Sequence, residues 1–255
     1  MYIDSHCHIN DPLFKGKEDD YVNEAKQALV NTMLVVGYDL KSSLDALELA
    51  NKYDEVYAAV GIIPEEVKRS SEDDLKEIEK LLTHKKVIAI GEIGLDYHWD
   101  KDIKEREKQK QFFIKQIELA NKYHLPVSIH CRDAYEDTLI VLKNHKVHAL
   151  GVLHCYSGSL EMAKEFIKLG YLLGIGGTVT FKNAINPKEV AKYVPDTNYV
   201  LETDAPYLTP SPHRGEINHS KYIPFIAQEI ANLKGISLEK VAADSSRNFA
   251  FIFKI

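Results

Sequence analysis

The chain has 255 residues, 45% of them apolar and 27% charged, a globular composition that excludes a disordered, collagenous or disulfide-scaffold protein. Thirty-two Lys and Arg against 38 Asp and Glu leave a formal charge of −6, which excludes a bulk nucleic-acid coat. Three cysteines are too few and too odd in number for a disulfide framework and point to a reducing compartment.

Short β-prone runs alternate with longer helical patterns. In chain order the predicted strands are 2–6, 32–36, 56–60, 87–91, 126–130, 149–154, 171–175 and 198–202. Their starts recur about every 28 residues, the length that a strand, a helix and two loops require. Between them, 71–82 opens on Ser71 and acidic residues, which suit a helix N-terminus. Residues 103–123 put Phe113, Ile117 and Ala120 on one stripe among charges, and 159–169 runs from Ser159 to a capping Gly170. No linker or charge block divides the chain. The expectation is a single-domain (β/α)8 TIM barrel over residues 1–255. An open doubly wound sheet would want a glycine-rich loop after the first strand, and Asp4-Ser5-His6-Cys7-His8 stands there instead.

The chemistry-bearing residues sit at predicted strand ends. His6 and His8 are two apart in a strand, so they share a face and could grip one metal ion. Glu92 closes an apolar run, where burial without a partner would cost several kcal/mol. His130, His154 and Asp204 each stand at or just past a later strand, and Glu202 is a further acid beside Asp204. Singly, each has a bland explanation: a satisfied core histidine, or a carboxylate salt-bridged to a neighbouring Lys or Arg. Together, His6, His8, Glu92, His130, His154 and Asp204 fall on the rim where the active sites of parallel barrels lie, and they are metal-ligand types. Cys7, Cys131 and Cys155 adjoin three of these histidines, but strand alternation turns each thiol away from its neighbour. We expect buried, inert thiols facing the helix layer.

Seven motifs stand in order across nearly the whole chain: DSHCH (4–8), GEIGLDYHWD (91–100), SIHCRDA (128–134), LHCYSGS (153–159), GGTVTFKNA (176–184), ETDAPYL (202–208) and RGEIN (214–218). By them the sequence resembles the TatD-type metal-dependent hydrolases, among the amidohydrolase-like metal barrels. The resemblance implies two divalent metal ions (Mg, Mn or Zn). His6, His8 and Asp204 would hold one, His130 and His154 the other, and Glu92 would bridge them. It also implies a deoxyribonuclease that cleaves phosphodiesters with a metal-activated water, trimming single-stranded DNA ends from 3′ to 5′; RNA ends are a second possible substrate. In it Asp204 orients the water and accepts its proton, so Glu92 and Asp204 are the catalytic candidates.

Arg132 and Arg214 are candidate phosphate clamps, with ion pairs to Asp133 and Glu216 as the structural alternative. Tyr97, Trp99, Tyr156 and Tyr207 fall near rim loops and could stack on bases or fill loop cores. The family turn G-x-H-P-H reads Gly61-Ile62-Ile63-Pro64-Glu65 here, so both histidines are replaced, and His219 stands where the family more often carries an acid. Two other readings use the same residues: a metal-dependent amidohydrolase or esterase on a small carbonyl substrate, and a non-catalytic metal- or nucleic-acid-binding protein. No apolar run approaches the ~18 residues of a membrane span, and MYIDSHCH has no secretory character. The expected location is cytoplasmic, with no membrane partner and no protein partner inferable.

Overall fold

The computed structural model describes residues 1–255. Eight strands alternate with helices: β1 (Tyr2–Cys7), α1 (Glu18–Gln27), β2 (Val30–Val36), α2 (Leu40–Lys52), β3 (Val56–Val60), α3 (Glu72–Leu81), β4 (Val87–Asp96), α4 (Ile103–Tyr123), β5 (Val127–Arg132), α5 (Tyr135–Asn144), β6 (Gly151–Leu153), α6 (Leu160–Lys168), β7 (Leu172–Ile175), α7 (Ile185–Tyr193), β8 (Tyr199–Leu201), α8 (Ile223–Lys234) and α9 (Leu238–Phe253). The strands follow one another in the sheet in chain order, β1 to β8. Parallel strands joined by helices in unbroken sequential order define the (β/α)8 TIM-barrel class. No helix is long and apolar enough to cross a membrane.

Every predicted strand is present, and the helix over 103–123 has the predicted limits. The helix starts follow from local chemistry. Ser71 accepts from the Asp74 N–H while Asp74 accepts from the Ser71 N–H, a capping box at α3. Asp39 and Ser42 do the same at α2, and Ser159 caps α6. Helix α6 ends at Lys168, two residues before the predicted glycine: Leu169 is its C-cap, and Gly170 follows at φ +97°.

The chain divides into two compact units. One comprises Met1–Val35 with His154–Ile255, the other Val36–Leu153. In the first, β1 pairs with β2 and β7 with β8, all parallel. Tyr199, Phe166 and Phe249 are fully buried in its core. In the second, β4 pairs with β3 and β5, and β5 with β6. Ile78, Ile90, Ile93 and Phe113 form its core.

Strand β4 departs most from expectation. The apolar run stops at Gly91, yet the strand continues to Asp96, and all ten residues are buried. Its register against β5 shifts between Ile90 and Ile93. Such a shift re-aims side chains. Glu92 therefore lies inside β4 and not just beyond its end, which corrects the sequence-based placement.

Candidate metal centre

The first unit holds a buried cluster. His6 projects from β1 and His8 follows that strand; His154 follows β6, and Glu202 and Asp204 follow β8. The His6 and His8 Nε2 atoms lie 3.2 Å apart, and Asp204 Oδ1 stands 3.8 Å from the first and 3.5 Å from the second. The His154 ring stacks on His6 at 3.9 Å between centroids, and its Nδ1 is 3.8 Å from Glu202 Oε1. Backbone bonds fix the arrangement: the Asp204 N–H donates to the His6 carbonyl, and the His8 N–H to the Ala205 carbonyl.

Asp4 locks this floor. Fully buried, it accepts from the Thr203 N–H and hydroxyl, the Ser220 hydroxyl and the His6 N–H. Burial raises its carboxyl to about 6 against the pull of those donors. Burial also works on Asp204, but the His8 hydrogen bond and the nearby His154 and His6 hold its carboxyl below the ordinary value.

Glu202 is the side chain that sequence reasoning noted without assigning. It is fully buried, accepts from the Cys155 N–H, and its Oε2 has no hydrogen-bond partner. Burial pushes its carboxyl up to about 8, above what His154 offsets. Gly174 lies directly beneath: a Cβ there would collide with the Glu202 carboxylate. The available signal was a second acid two residues before Asp204 at the end of the last strand; the strand's alternation does not carry through to both, because β8 ends at Leu201 and Asp204 turns to φ +57°.

The second unit holds its own cluster. His130, on β5, places Nδ1 at 2.7 Å from Glu92 Oε1 and Nε2 at 3.0 Å from Asp96 Oδ2. Glu65 Oε1 stands 4.0 Å from the same Nε2. Asp96 is only 1% exposed, and its other oxygen accepts from the His98 and Trp99 N–H groups. The Gln109 side chain clamps the Asp96 backbone at both its N–H and its carbonyl. Burial opposes protonation of His130, but Asp96 and Glu92 outweigh it and hold the imidazolium well above its usual range. Asp96 and Glu65 were not among the sequence candidates. Glu65 had counted there only as a missing histidine.

Both sets suit a divalent cation. Imidazole nitrogens and carboxylate oxygens are borderline-to-hard donors that accept zinc, manganese or magnesium. The ligand atoms of His6, His154 and Glu202 all lie within 4.8 Å of one another, as do those of Glu65, Asp96 and His130. The partnerless Glu202 oxygen is what a cation would satisfy.

The remaining candidates divide. Arg132 makes no ion pair with Asp133, which instead meets His98 Nδ1 at 3.0 Å. The Arg132 guanidinium is exposed and sits 5.5 Å from the centroid of Trp99. Arg214 lies 3.7 Å over the Phe181 ring and donates to the Thr209 carbonyl, while Glu216 takes His213 and Tyr222. Tyr97 and Tyr156 are buried, whereas Trp99 and Tyr207 are exposed. All three cysteines are free thiols. Cys7 is buried as expected: it donates to the Leu34 carbonyl of β2 and lies beside Ser220 and Tyr21 of α1, on the helix side of the strand. Cys131 meets the Thr138 hydroxyl of α5. Cys155 is only half-buried, because it lies past the end of β6 where strand alternation no longer applies.

A family model described as TatD related DNase matches residues 3–254. The chain belongs to the TatD-related DNase family. It is 42% identical to "Uncharacterized metal-dependent hydrolase YabD" of Bacillus subtilis, over all of both proteins. It is 35% identical to "Uncharacterized metal-dependent hydrolase YcfH" of Escherichia coli, covering 99% of this chain and 96% of that protein. Among solved structures it superimposes on the TatD homologue YjjV of Escherichia coli with a TM-score of 0.94 at 32% identity, covering 100% of this chain and 98% of that one. This TatD-family chain is thus a metal-dependent hydrolase on the (β/α)8 fold, with histidine and carboxylate clusters fit to hold metal.

Proposed function

We propose that this TatD-family chain is a deoxyribonuclease that hydrolyses phosphodiesters at single-stranded DNA ends from 3′ to 5′, with two divalent ions (Mg, Mn or Zn). His6, His8 and Asp204 would hold one ion and His130 and His154 the other, with Glu92 as a ligand common to both. The observation that carries this reading is the buried convergence of His6, His8, His154 and Asp204, with two Nε2 atoms at 3.2 Å. Two imidazole nitrogens at that distance share at most one proton, and a cation satisfies both.

Bound ions would lower the pKa of a coordinated water toward ~7 and neutralise charge on both attacking and leaving oxygens. Asp204 accepts the proton of the attacking water; the histidines that hold its carboxyl low keep it ionised for that task. Asp4, through its bonds to His6 and Thr203, fixes both walls of the pocket in which that transfer occurs. Glu202 Oε1 stands 3.8 Å from His154 Nδ1, beyond hydrogen-bond reach, and its unpartnered Oε2 offers a further carboxylate oxygen beside that histidine. Arg214, held over the Phe181 ring, and the unpaired Arg132 supply cationic contacts for phosphate.

Elemental analysis of the purified protein and an end-labelled single-stranded DNA assay across magnesium, manganese and zinc test the proposal. An end-labelled RNA strand is the second arm. Glu92→Ala is expected to lose metal at both positions, and Asp204→Asn to retain metal while losing turnover. Cleavage of a lactone or amide with no action on any phosphodiester would instead assign a carbonyl substrate to the same centre. Full nuclease activity in either variant would refute the assigned roles.

A further inference from the structure

Trp99 is the only tryptophan of the chain, and it is 66% exposed. An indole left so open beside a buried cluster is an unused apolar surface. Its neighbours form a deliberate setting. The His98 ring meets it edge-on at 4.6 Å, and His98 is itself held by Asp133. The Arg132 guanidinium, exposed and with no ion pair, lies over one face of the indole, 5.5 Å from its centroid. Both groups are tied to the metal cluster of their unit. The Trp99 backbone N–H donates to Asp96, whose other oxygen holds His130. Asp96 and Arg132 are register partners on β4 and β5, and Arg132 follows His130 by two residues.

We propose that Trp99 and Arg132 form a nucleobase platform. One unstacked base of a single-stranded nucleic acid lies on the indole, and its phosphate meets the guanidinium. This deepens the nuclease reading and rests on it. A flat, open ring with an adjoining unpaired cation is the pairing that base-stacking and phosphate contact require. Within a duplex the faces of each base are covered by its stacked neighbours, and only the terminal pair leaves one face open. The platform therefore selects strands whose bases are free, and it does so tolerantly, because every base has a π-face.

Intrinsic fluorescence reads this directly, since Trp99 is the sole emitter of its kind. The full chain, chelator-treated to prevent cleavage, is titrated with an eight-residue oligothymidylate and with an eight-unit abasic strand of equal charge. The oligothymidylate is expected to quench the emission and the abasic strand to leave it unchanged. Arg132→Ala is expected to weaken oligothymidylate binding. In the metal-loaded enzyme, Trp99→Ala is expected to lower the ratio of kcat/KM for oligothymidylate over the abasic strand roughly 5- to 150-fold, the span for one lost stacked base. Trp99→Phe, which keeps a ring, should recover part of that loss. Equal quenching by both strands, or an unchanged ratio in Trp99→Ala, would overturn the platform. If neither strand is cleaved under any metal, the nuclease reading fails on its own, and the fluorescence titration still decides whether bases are bound.

Discussion

Asp96→Asn is the sharpest test of how the second cluster is organised. Asp96 Oδ1 accepts from the His98 and Trp99 N–H groups at 2.8 and 3.3 Å, and Oδ2 faces His130 Nε2 at 3.0 Å. Asparagine keeps one acceptor oxygen, and the two backbone donors claim it. Its amide NH2 is then presented to His130 Nε2. That donor requires Nε2 to be an acceptor, which puts the ring proton on Nδ1, the atom that faces Glu92 and that would have to ligate an ion shared with Glu92. Metal can bind only if the amide flips and forfeits two backbone hydrogen bonds. At about 1 kcal/mol each the penalty is about 2 kcal/mol, or roughly 30-fold in metal affinity. That lies inside the ~10–100-fold range for losing an outer partner of a metal-bound histidine. Competition against a chelating dye measures it, with circular dichroism to confirm the fold. Asp96→Ala, which removes the conflict over the proton, should lose less than Asp96→Asn. Affinity within twofold of the parent protein in Asp96→Asn, or a larger loss in Asp96→Ala, would refute the tautomer argument.

Other outcomes follow from the same geometry. Gly174→Ala drives a methyl group into the buried Glu202 carboxylate and should lower stability by about 1–3 kcal/mol in thermal unfolding, whereas Gly176→Ala, with its nearest neighbour atom at 3.6 Å, should not. Metal-free protein should lose stability as pH rises from about 6.5 to 8. Glu202, raised from 4.5 to about 8, and His130, also raised, both bind more protons folded than unfolded across that window. Urea midpoints of chelator-treated protein would show the fall, and Glu202→Gln should make it shallower; a midpoint that climbs with pH contradicts the burial of Glu202. Cys131→Ser should leave metal content unchanged, because the thiol faces Thr138 and burial pushes it up to about 12. Loss of metal in that variant, with the fold intact, would make Cys131 a ligand after all.

Much of this was legible in the residues alone. The period-2 placement of His6 and His8 put two imidazoles on one face, and strand ends at 130, 154 and 202–204 supplied the rest. Those signals are local: alternation, apolar runs and their stops. What sequence could not supply was register. Gly91-Glu92 reads as a strand stop, yet β4 continues to Asp96 because β5 pairs with it through Arg132. Pairing partners are set by another segment of chain, so Asp96 and its bond to His130 stayed hidden. Adjacency in sequence misled for Arg132 and Asp133, since Asp133 turns to His98 and leaves the guanidinium open. Glu65 shows the reverse. In sequence it stands only where the family motif has a histidine, yet its carboxylate comes within 4.0 Å of His130.

The buried, partnerless oxygen of Glu202 carries a consequence for the lifetime of the protein. A ligand that binds only the folded form stabilises it by mass action, by about 2.7 kcal/mol at a hundredfold excess over its dissociation constant. Chains made under metal starvation would lack that increment and open more often to proteases. Supply of the ion would then govern how much of the enzyme persists, as well as how fast each molecule works.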